Sequence, residues 1–434
     1  SPIGSWDVSN VTDMTQMFSN AESFNQDISQ WNVSNVTNMV GMFYAARSFN
    51  QDISQWDVSN VTTMYYMFQE ANAFNQDIST KVVNEGLDTQ YNAWDMSKVT
   101  DIRYMFYRAF DFNNGDLIGE SNKPLLWDIS GVGSLNRSFY EACSFNQNIS
   151  TKYVTVGEKS YISFDTSKLV NCDYTFSNCY HFNNGDVPGG SSKPLNWNTE
   201  LVTSMYRTFS IFPPTDEIFG YTLPYEVRKT IPKMFLEIEG DRGEEGPENN
   251  QYYITGAYNQ PFNNDTRVEF GEGDNKIAYT PFDLSRCETI RSMIYYQGFF
   301  NQPITLSLGS CIEFKFAFGY MRSFNNTIKI TSTGSSADMA ALLIGCSTFN
   351  QPINDINTSN ATTLVYAFGG LLEFNQPIDG IDTGSATNIG SMFAYSSKFN
   401  QSIDSLDLTN VISIPFMLRD ATSFNQPINL DTKN

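Results

Sequence analysis

The sequence predicts an α/β repeat fold: a solenoid of short parallel strands and short helices, with inserted loops on one rim. The first observation is a Phe-Asn pair that returns along the chain, 25 residues apart in its most regular parts. The second is a set of tryptophans in register with that pair. The third is a change in the spacing of apolar residues within each unit, which indicates a strand followed by a helix.

The Phe-Asn pair sets the register of the repeat. A fixed period is the sequence signature of stacked units, because each unit buries its apolar face only against its neighbours. We expect the asparagines to form a ladder of amides that satisfies the backbone of the turns. The pairs begin at Phe24, Phe49, Phe74, Phe112, Phe145, Phe182, Phe262, Phe300, Phe324, Phe349, Phe374, Phe399 and Phe424.

One unit shows both expected elements. Trp31 and Val33 flank a polar residue, and this alternation is typical of a strand. The apolar residues that follow are spaced by three and four, which predicts about three turns of helix with one apolar face. These residues are Val36, Met39, Phe43 and Ala46.

The six tryptophans occupy one position of the repeat. Trp197 lies 12 residues before Phe209, as Trp31 lies before Phe43, and the others lie 18 residues before a Phe-Asn pair. In the second half of the chain the same position holds Ile356, Ile381 and Leu406. These apolar replacements favour a buried ladder over the alternative, a tryptophan platform that binds sugars.

Most of the cysteines also fall at apolar positions of the repeat. Small thiols that fill the core explain this without disulfides. The alternative is a bridge between Cys287 and Cys311, which occupy equivalent positions in neighbouring repeats. The cysteines are Cys143, Cys172, Cys179, Cys287, Cys311 and Cys346.

The regularity of the repeat divides the chain into four segments. Residues 1–112 are regular repeats, and residues 113–212 are repeats with rim insertions. Residues 213–261 form an irregular acidic insertion, and residues 262–434 are regular repeats again. Because the insertions enter between the Phe-Asn pair and the strand, we expect them to line one rim together.

The stretch WDVSNVTDMTQMFSNAESFNQDIS at residues 6–29 carries a family resemblance. It resembles the 25-residue repeat of the BspA-like, DUF285 group of leucine-rich-repeat surface proteins. The matching features are W-D-V-S-N-V-T, M-x-x-M-F, A-x-x-F-N and D-I-S. The resemblance implies a leucine-rich-repeat-like solenoid, often found on bacterial cell surfaces and also encoded by protists and large DNA viruses. It carries over no catalytic residues.

Composition excludes several classes of partner. The net charge is −21, with 47 acidic and 26 basic residues, which disfavours nucleic acid and anionic membrane surfaces. No stretch of 18 apolar residues occurs, so we expect no membrane span in this chain. Only 17% of residues are charged, and a surface made polar by amides and hydroxyls is common outside cells. This favours an extracellular, cell-surface or virion-surface location.

The candidate binding residues lie in the inserted loops. Two loops, at residues 112–127 and 182–197, are near copies that share Asn-Asn-Gly-Asp and Lys-Pro-Leu. A structural turn is the leading interpretation, and a weak Ca²⁺ site at their aspartates is the alternative. We expect Asp116→Asn to cost less than about 0.5 kcal/mol, as for a surface loop. The candidates are Asp116, Lys123, Asp186, Lys193, Glu244 and Glu245.

Catalytic chemistry is not legible in the sequence. The single histidine, His181, has no motif around it, and no phosphate loop or Cys-x-x-Cys occurs. No cofactor is expected. The leading hypothesis is therefore a non-enzymatic surface protein that binds proteins or glycans. The alternative is a structural assembly unit of a virion or extracellular filament, stacked through ends that further chain or another subunit covers.

Overall fold

The computed structural model describes residues 2–212, 256–262, 267–271 and 276–429, together with the backbone of five short strands between residues 215 and 254. The strands are β1 (Lys81–Val83), β2 (Tyr91–Ala93), β3 (Lys152–Val156), β4 (Lys159–Ser163), β5 (Thr215–Asp216), β6 (Tyr221–Thr222), β7 (Lys233–Phe235), β8 (Glu244–Glu245), β9 (Gln251–Ile254), β10 (Val268–Phe270), β11 (Ile277–Tyr279), β12 (Ile304–Leu308), β13 (Ile328–Thr333), β14 (Ala337–Asp338) and β15 (Ala361–Thr363).

The strands form small sheets. Four pairs are antiparallel: β1 with β2, β3 with β4, β5 with β6, and β10 with β11. A three-stranded antiparallel sheet has the order β7-β9-β8. Among the described strands, β12 with β13 and β14 with β15 are the parallel pairs, and these pairs join neighbouring repeats.

The predicted α/β solenoid of short parallel strands and short helices, like a leucine-rich repeat, is wrong. No helix occurs among the described residues, and the strands are short pairs. The segment around Met39 to Ala46, predicted as a helix, is a succession of turns. Trp31 and Val33, predicted in a strand, lie in irregular backbone.

Left-handed residues prevent the helix. Gly41 has φ 57° and Ala45 has φ 53°, whereas an α-helix needs right-handed backbone at every residue. The N–H of Gly41 donates to Tyr65 O (2.9 Å) and the N–H of Phe43 to Met67 O (2.9 Å), both in the next repeat. A helix would send these donors back four residues along the same segment.

Intervening residues close turns within the repeat. The N–H of Met42 donates to Met39 O (3.2 Å) and that of Ala46 to Phe43 O (3.0 Å). These turns bring Met39, Met42, Phe43 and Ala46 into the interior, where each is fully buried. Spacings of three and four therefore predicted the correct buried residues and the wrong backbone.

Parallel bridges hold equivalent residues of neighbouring repeats side by side. Asp13 pairs with Asn38, Asn38 with Thr63, and Thr63 with Asp101. The series resumes from Ser134 and continues into the last described repeat at Ser413. The described repeats are thus stacked units of turns, joined by backbone hydrogen bonds.

The core is a set of ring ladders. Phe24, Phe49 and Phe74 stack at centroid distances of 5.8 and 5.9 Å. The ladder position between Phe182 and Phe300 is taken by Tyr258, at 6.1 and 6.3 Å. The prediction that Phe262 fills this position is wrong, and the repeat register resumes before residue 262.

A tryptophan ladder packs beside the phenylalanines, as predicted. Each buried tryptophan donates its indole N–H to a backbone carbonyl of an earlier repeat. Trp94 Nε1 donates to Ile53 O (2.9 Å), and Trp127 Nε1 donates to Ile78 O (2.9 Å). Trp31, Trp56 and the later tryptophans are buried, whereas Trp6 is 53% exposed. The ladder therefore satisfies its own polar atoms within the core.

The expected asparagine ladder is confirmed. Asn50 N donates to Asn25 Oδ1 and Asn75 N to Asn50 Oδ1, each at 2.9 Å. The same contact passes through Asn259, whose N–H donates to Asn183 Oδ1 (2.8 Å) and whose Oδ1 accepts from Asn301 N (2.7 Å). One amide per repeat thus fixes the turn that leads out of the core.

The cysteines are free, buried thiols, as the core interpretation predicted. Cys287 and Cys311 form no bridge. Burial raises the pKa of Cys287 to about 12, so this thiol is protonated and unreactive at neutral pH.

Phe49→Ala should lower the free energy of unfolding by about 3–5 kcal/mol, because it opens a cavity between two stacked rings. Leu87→Ala is the control, since Leu87 is 62% exposed and its truncation should change stability by less than about 0.5 kcal/mol. Denaturant titration of both variants gives the comparison. Equal losses would contradict the assignment of the phenylalanine ladder as the core.

Candidate functional site

Three inserted hairpins lie along one side of the repeats. They are β1–β2, β3–β4 and β10–β11. In each hairpin a tyrosine hydroxyl donates a hydrogen bond to a backbone carbonyl of the stacked repeats. Tyr91 donates to Gln55 O (2.5 Å), Tyr161 to Leu126 O (2.5 Å) and Tyr279 to Asn196 O (2.6 Å). The carbonyls belong to residues that directly precede tryptophans, so the three hairpins dock at one position of the repeat.

The first candidate loop uses Asp116 and Lys123 for its own structure. Asp116 is buried, and its Oδ2 accepts from Asn122 N (2.5 Å), Lys123 N (3.1 Å) and Gln147 Nε2 (3.0 Å). Lys123 Nζ donates to Gly115 O (2.8 Å). The expectation that Asp116 is a solvent-exposed loop residue is wrong, because Gln147 from the next repeat packs over it.

The second loop repeats this arrangement with more exposure. Asp186 Oδ2 accepts from Ser192 N (2.9 Å) and Ser192 Oγ (2.8 Å), and Lys193 Nζ donates to Gly185 O. Burial raises the pKa of Asp186, but the hydrogen bonds from Ser192 outweigh it and hold the pKa below its ordinary value. The side chains of Glu244 and Glu245, the remaining candidates, lie outside the described residues.

A cleft of about 300 Å³ opens between the second and third hairpins. Asp128, Asp165, Tyr153, Tyr161 and Ile277 are among its lining residues. Each aspartate uses Oδ1 to accept from a serine N–H two residues later. Burial raises the pKa of Tyr161 to about 12, so its hydroxyl stays neutral.

The second hairpin places a lysine beside an aspartate of the repeats, and the third hairpin places an isoleucine at the equivalent position. Lys159, two residues before Tyr161, reaches Asp95 with its Nζ 3.0 Å from Oδ2. Ile277 lies two residues before Tyr279 and takes the equivalent place next to Asp165. The isoleucine supplies no cation, and among the described residues no lysine or arginine lies within ion-pair distance of Asp165.

A second surface carries a series of contacts between arginine guanidinium groups and tyrosine rings. The residues lie two or three positions after the bridge residue in six successive repeats. We call them the tyrosine–arginine face: Tyr65, Arg103, Tyr104, Arg137, Tyr174, Tyr206, Arg207 and Arg291.

Tyrosines and arginines alternate along this face. Arg137 lies over the rings of Tyr104 (5.4 Å) and Tyr174 (4.2 Å). Arg207 lies over Tyr174 (5.6 Å) and Tyr206 (5.2 Å). The series continues on both sides, because Arg291 lies over Tyr206 at 5.8 Å and Tyr65 meets Tyr104 edge to face at 5.8 Å. Guanidinium groups held in this way are orientated before any ligand arrives.

The cations at the centre of the face are not neutralised. Arg103 pairs with Asp101 at 2.7 Å, but among the described residues no carboxylate lies within ion-pair distance of Arg137, Arg207 or Arg291. Arg207 Nε is buried without a hydrogen-bond partner in the described part of the chain. Uncompensated arginines are unexpected in a chain with a net charge of −21.

The environment of Tyr174 favours the neutral form of its hydroxyl group. Burial is the main cause that raises the pKa of Tyr174, and a hydrogen bond with Tyr206 raises this pKa further. All of the tyrosines of the face are half-buried, so part of each side chain remains exposed. The face therefore combines apolar rings, hydroxyl groups and guanidinium groups on one surface.

Sequence analysis missed this face and proposed the inserted loops instead. A usable signal was present: aligning the repeats on the apolar residues Ile102, Leu135, Met205 and Ile290 brings Arg103, Tyr206 and Arg291 to one position and Tyr104, Arg137 and Arg207 to the next. The insertions hide this alignment in the linear sequence.

Metal and membrane chemistry find no site in the described ranges. No group of three or more His, Cys, Asp or Glu side chains is close enough to hold a metal ion there. Within the same ranges, no helix has the length and apolar character that crossing a bilayer requires.

Comparison with known proteins gives one family. The family model described as "Mycoplasma protein of unknown function, DUF285" matches residues 1–91, 84–212, 264–362 and 312–431. No curated protein and no solved structure gives a significant match to the chain.

Asp116→Asn should destabilise the protein by about 1–2 kcal/mol, because a charged acceptor of three hydrogen bonds is lost. Asp88→Asn is a matched control, since Asp88 is an exposed hairpin residue with no hydrogen bond to its carboxylate in the described structure. Thermal unfolding should separate the two variants. Indistinguishable melting temperatures would contradict the structural role of the Asp116 carboxylate.

Ile277→Lys should raise the free energy of unfolding by up to about 1 kcal/mol. The new lysine would form an ion pair with Asp165 that is equivalent to the pair between Lys159 and Asp95. The gain should shrink at high salt and vanish when Asp165→Asn is also present. Thermal unfolding of the single and double variants tests this. A gain that survives Asp165→Asn would show that the lysine acts elsewhere.

Proposed function

The chain belongs to the DUF285 family, and from that premise we propose that it is a non-enzymatic binding protein that recognises a protein or glycan through its tyrosine–arginine face. The family description assigns no function, so the proposal rests on this chain's own surface. The observation that carries it is the run of arginines at Arg137, Arg207 and Arg291, stacked on tyrosines and unpaired with carboxylates in the described structure.

The chemistry of the face supports recognition. Tyrosine and arginine are the residues most enriched at binding hot spots, because each combines apolar contact area with directed hydrogen bonds. The rings and guanidinium groups pack against one another and restrict each other's rotation. This lowers the conformational entropy that these side chains lose when a partner binds.

The non-enzymatic part of the proposal rests on the absence of a nucleophile–base arrangement in the sequence. The single histidine, His181, is buried beside the ladder residue Phe182, where a solvent-borne substrate has no access. The surface location rests on composition, since amides and hydroxyls rather than charges make the surface polar.

The test is a panel of purified extracellular proteins and glycans, acidic and neutral, probed with wild type and with the Arg137→Gln/Arg207→Gln variant. We expect binding to at least one ligand that the variant loses. Arg47→Gln is the control, because Arg47 is exposed and already paired with Glu22 (3.4 Å) and Glu70 (3.5 Å). Ligands retained by the double variant, or an entirely negative panel, would contradict the proposal.

A second candidate is a structural assembly unit whose ends stack. Its support is the exposure of large apolar side chains in the outermost described repeats: Ile412 is 87%, Phe416 65% and Trp6 53% exposed. Stacking two copies would bury these groups.

Light scattering across a dilution series tests the assembly candidate. The 434-residue chain should form concentration-dependent multimers, and Ile412→Lys should release monomers by placing a charge in the apolar seam. Ile412 suits this test because its side chain is exposed in the folded protein. A wild-type chain that stays monomeric at high concentration would exclude this candidate.

A further inference from the structure

We infer that the ligand of the tyrosine–arginine face is a linear glycan with carboxylates spaced along it, such as a polymer in which a uronic acid alternates with a neutral sugar. The inference rests on the proposed function and names the chemistry of its partner. It follows from the spacing of the arginines, from the state of the backbone beneath them and from the tyrosines between them.

The unpaired arginines Arg137 and Arg207 leave one repeat between them, and Arg291 follows in the repeat after Arg207. Arg137 and Arg207 lie two repeats apart, since the bridge residues Ser134, Asn171 and Ser204 follow one another in the ladder. At the usual spacing of bonded strands this is roughly 10 Å. A chain with an anionic group on every second unit matches this spacing better than one with a charge on every unit.

Arginine also selects the kind of anion. Its planar guanidinium presents parallel N–H groups that match a carboxylate with two hydrogen bonds. The Nη1 of Arg137 donates to Tyr104 Oη (3.0 Å) and Asn136 Oδ1 (3.2 Å). No described contact engages its Nη2, which remains for a ligand.

The backbone argues against an extended peptide as the ligand. Arg137 N donates to Asp173 O (3.0 Å), Tyr174 N to Tyr206 O (2.9 Å) and Arg207 N to Arg291 O (3.0 Å). These donors bond along the stack, so the face offers no open sheet edge. A peptide strand therefore gains no main-chain hydrogen bonds here.

The tyrosines favour sugar rings. Guanidinium groups lie over the ring of Tyr174, so this partly exposed phenol would present its apolar edge to a ligand. Tyr174 lies between Arg137 and Arg207, so a neutral sugar would meet the edge of this ring and each flanking uronate would meet an arginine. Nucleic acid is excluded by charge density, because its closely spaced phosphates need clustered cations that a chain of net charge −21 does not supply.

The experiment measures affinity for four probes by calorimetry or polarisation. These are a polymer of alternating glucuronic acid and N-acetylglucosamine, neutral dextran, poly-glutamate and a single-stranded oligonucleotide. Wild type should bind the alternating polymer best, with affinity that falls as salt rises. Arg137→Gln and Arg207→Gln should each weaken this binding by about tenfold or more, as expected for a lost charge-assisted hydrogen bond.

Controls keep the result interpretable. Arg47→Gln should change affinity by less than about twofold, as for an exposed ion pair. Thermal unfolding confirms that each variant is folded. The Nε of Arg207 is buried, so Arg207→Gln could unfold the protein. Arg291→Gln, at the edge of the face, replaces it in that case and should also weaken binding.

The contrary outcomes separate the two proposals. Equal binding of dextran, or tighter binding of poly-glutamate or of the oligonucleotide, would overturn this inference, while sensitivity to Arg137→Gln would preserve the binding role of the face. Uronate binding that ignores all three arginine variants would overturn the inference and its site. Failure of all four probes would overturn the inference, and the proposed function would then fall only if the wider panel were also negative.

Discussion

The structure depends on where the backbone hydrogen bonds of each repeat go. Left-handed residues, such as Gly41 and Ala45 in the second repeat, turn alternate N–H groups towards the next repeat. Gly41 N thus bonds to Tyr65 O and not to its own segment. Each bond couples one repeat to the next, so no unit is complete alone and stability grows with stacking. The register of every side chain follows from these bonds.

The register that builds the core also builds the candidate binding face. Inside the stack, equivalent positions place rings on rings, as with Phe49 over Phe24 at 5.8 Å. Outside it, equivalent positions place Arg137 and Arg207 against Tyr174. The two sets differ only in whether the side chain points inward or outward from the turns. A regular stack thereby converts a one-dimensional repeat into a surface with regularly spaced functional groups.

The sequence predicted the features that recur at one position of every repeat. It did not predict features that depend on contacts between residues far apart in the chain. The asparagine ladder and the buried tryptophans were predictable, because each needs only the template position. The helix was wrong because spacings of three and four also arise from consecutive turns. Tyr258 was missed at the ladder position given to Phe262, because a Tyr-Asn pair replaces Phe-Asn in this repeat. The burial of Asp116 depends on Gln147 of the next repeat, which the loop's own sequence does not reveal.

The most direct test of the central claim is scalar coupling across hydrogen bonds in the isotopically labelled protein. The amide nitrogen of Gly41 should couple to the carbonyl carbon of Tyr65, because that bond joins two repeats. A helix in the same segment would instead couple Gly41 to Thr37, four residues earlier. Observation of the Tyr65 coupling supports stacking through lateral bonds, and observation of the Thr37 coupling would contradict it.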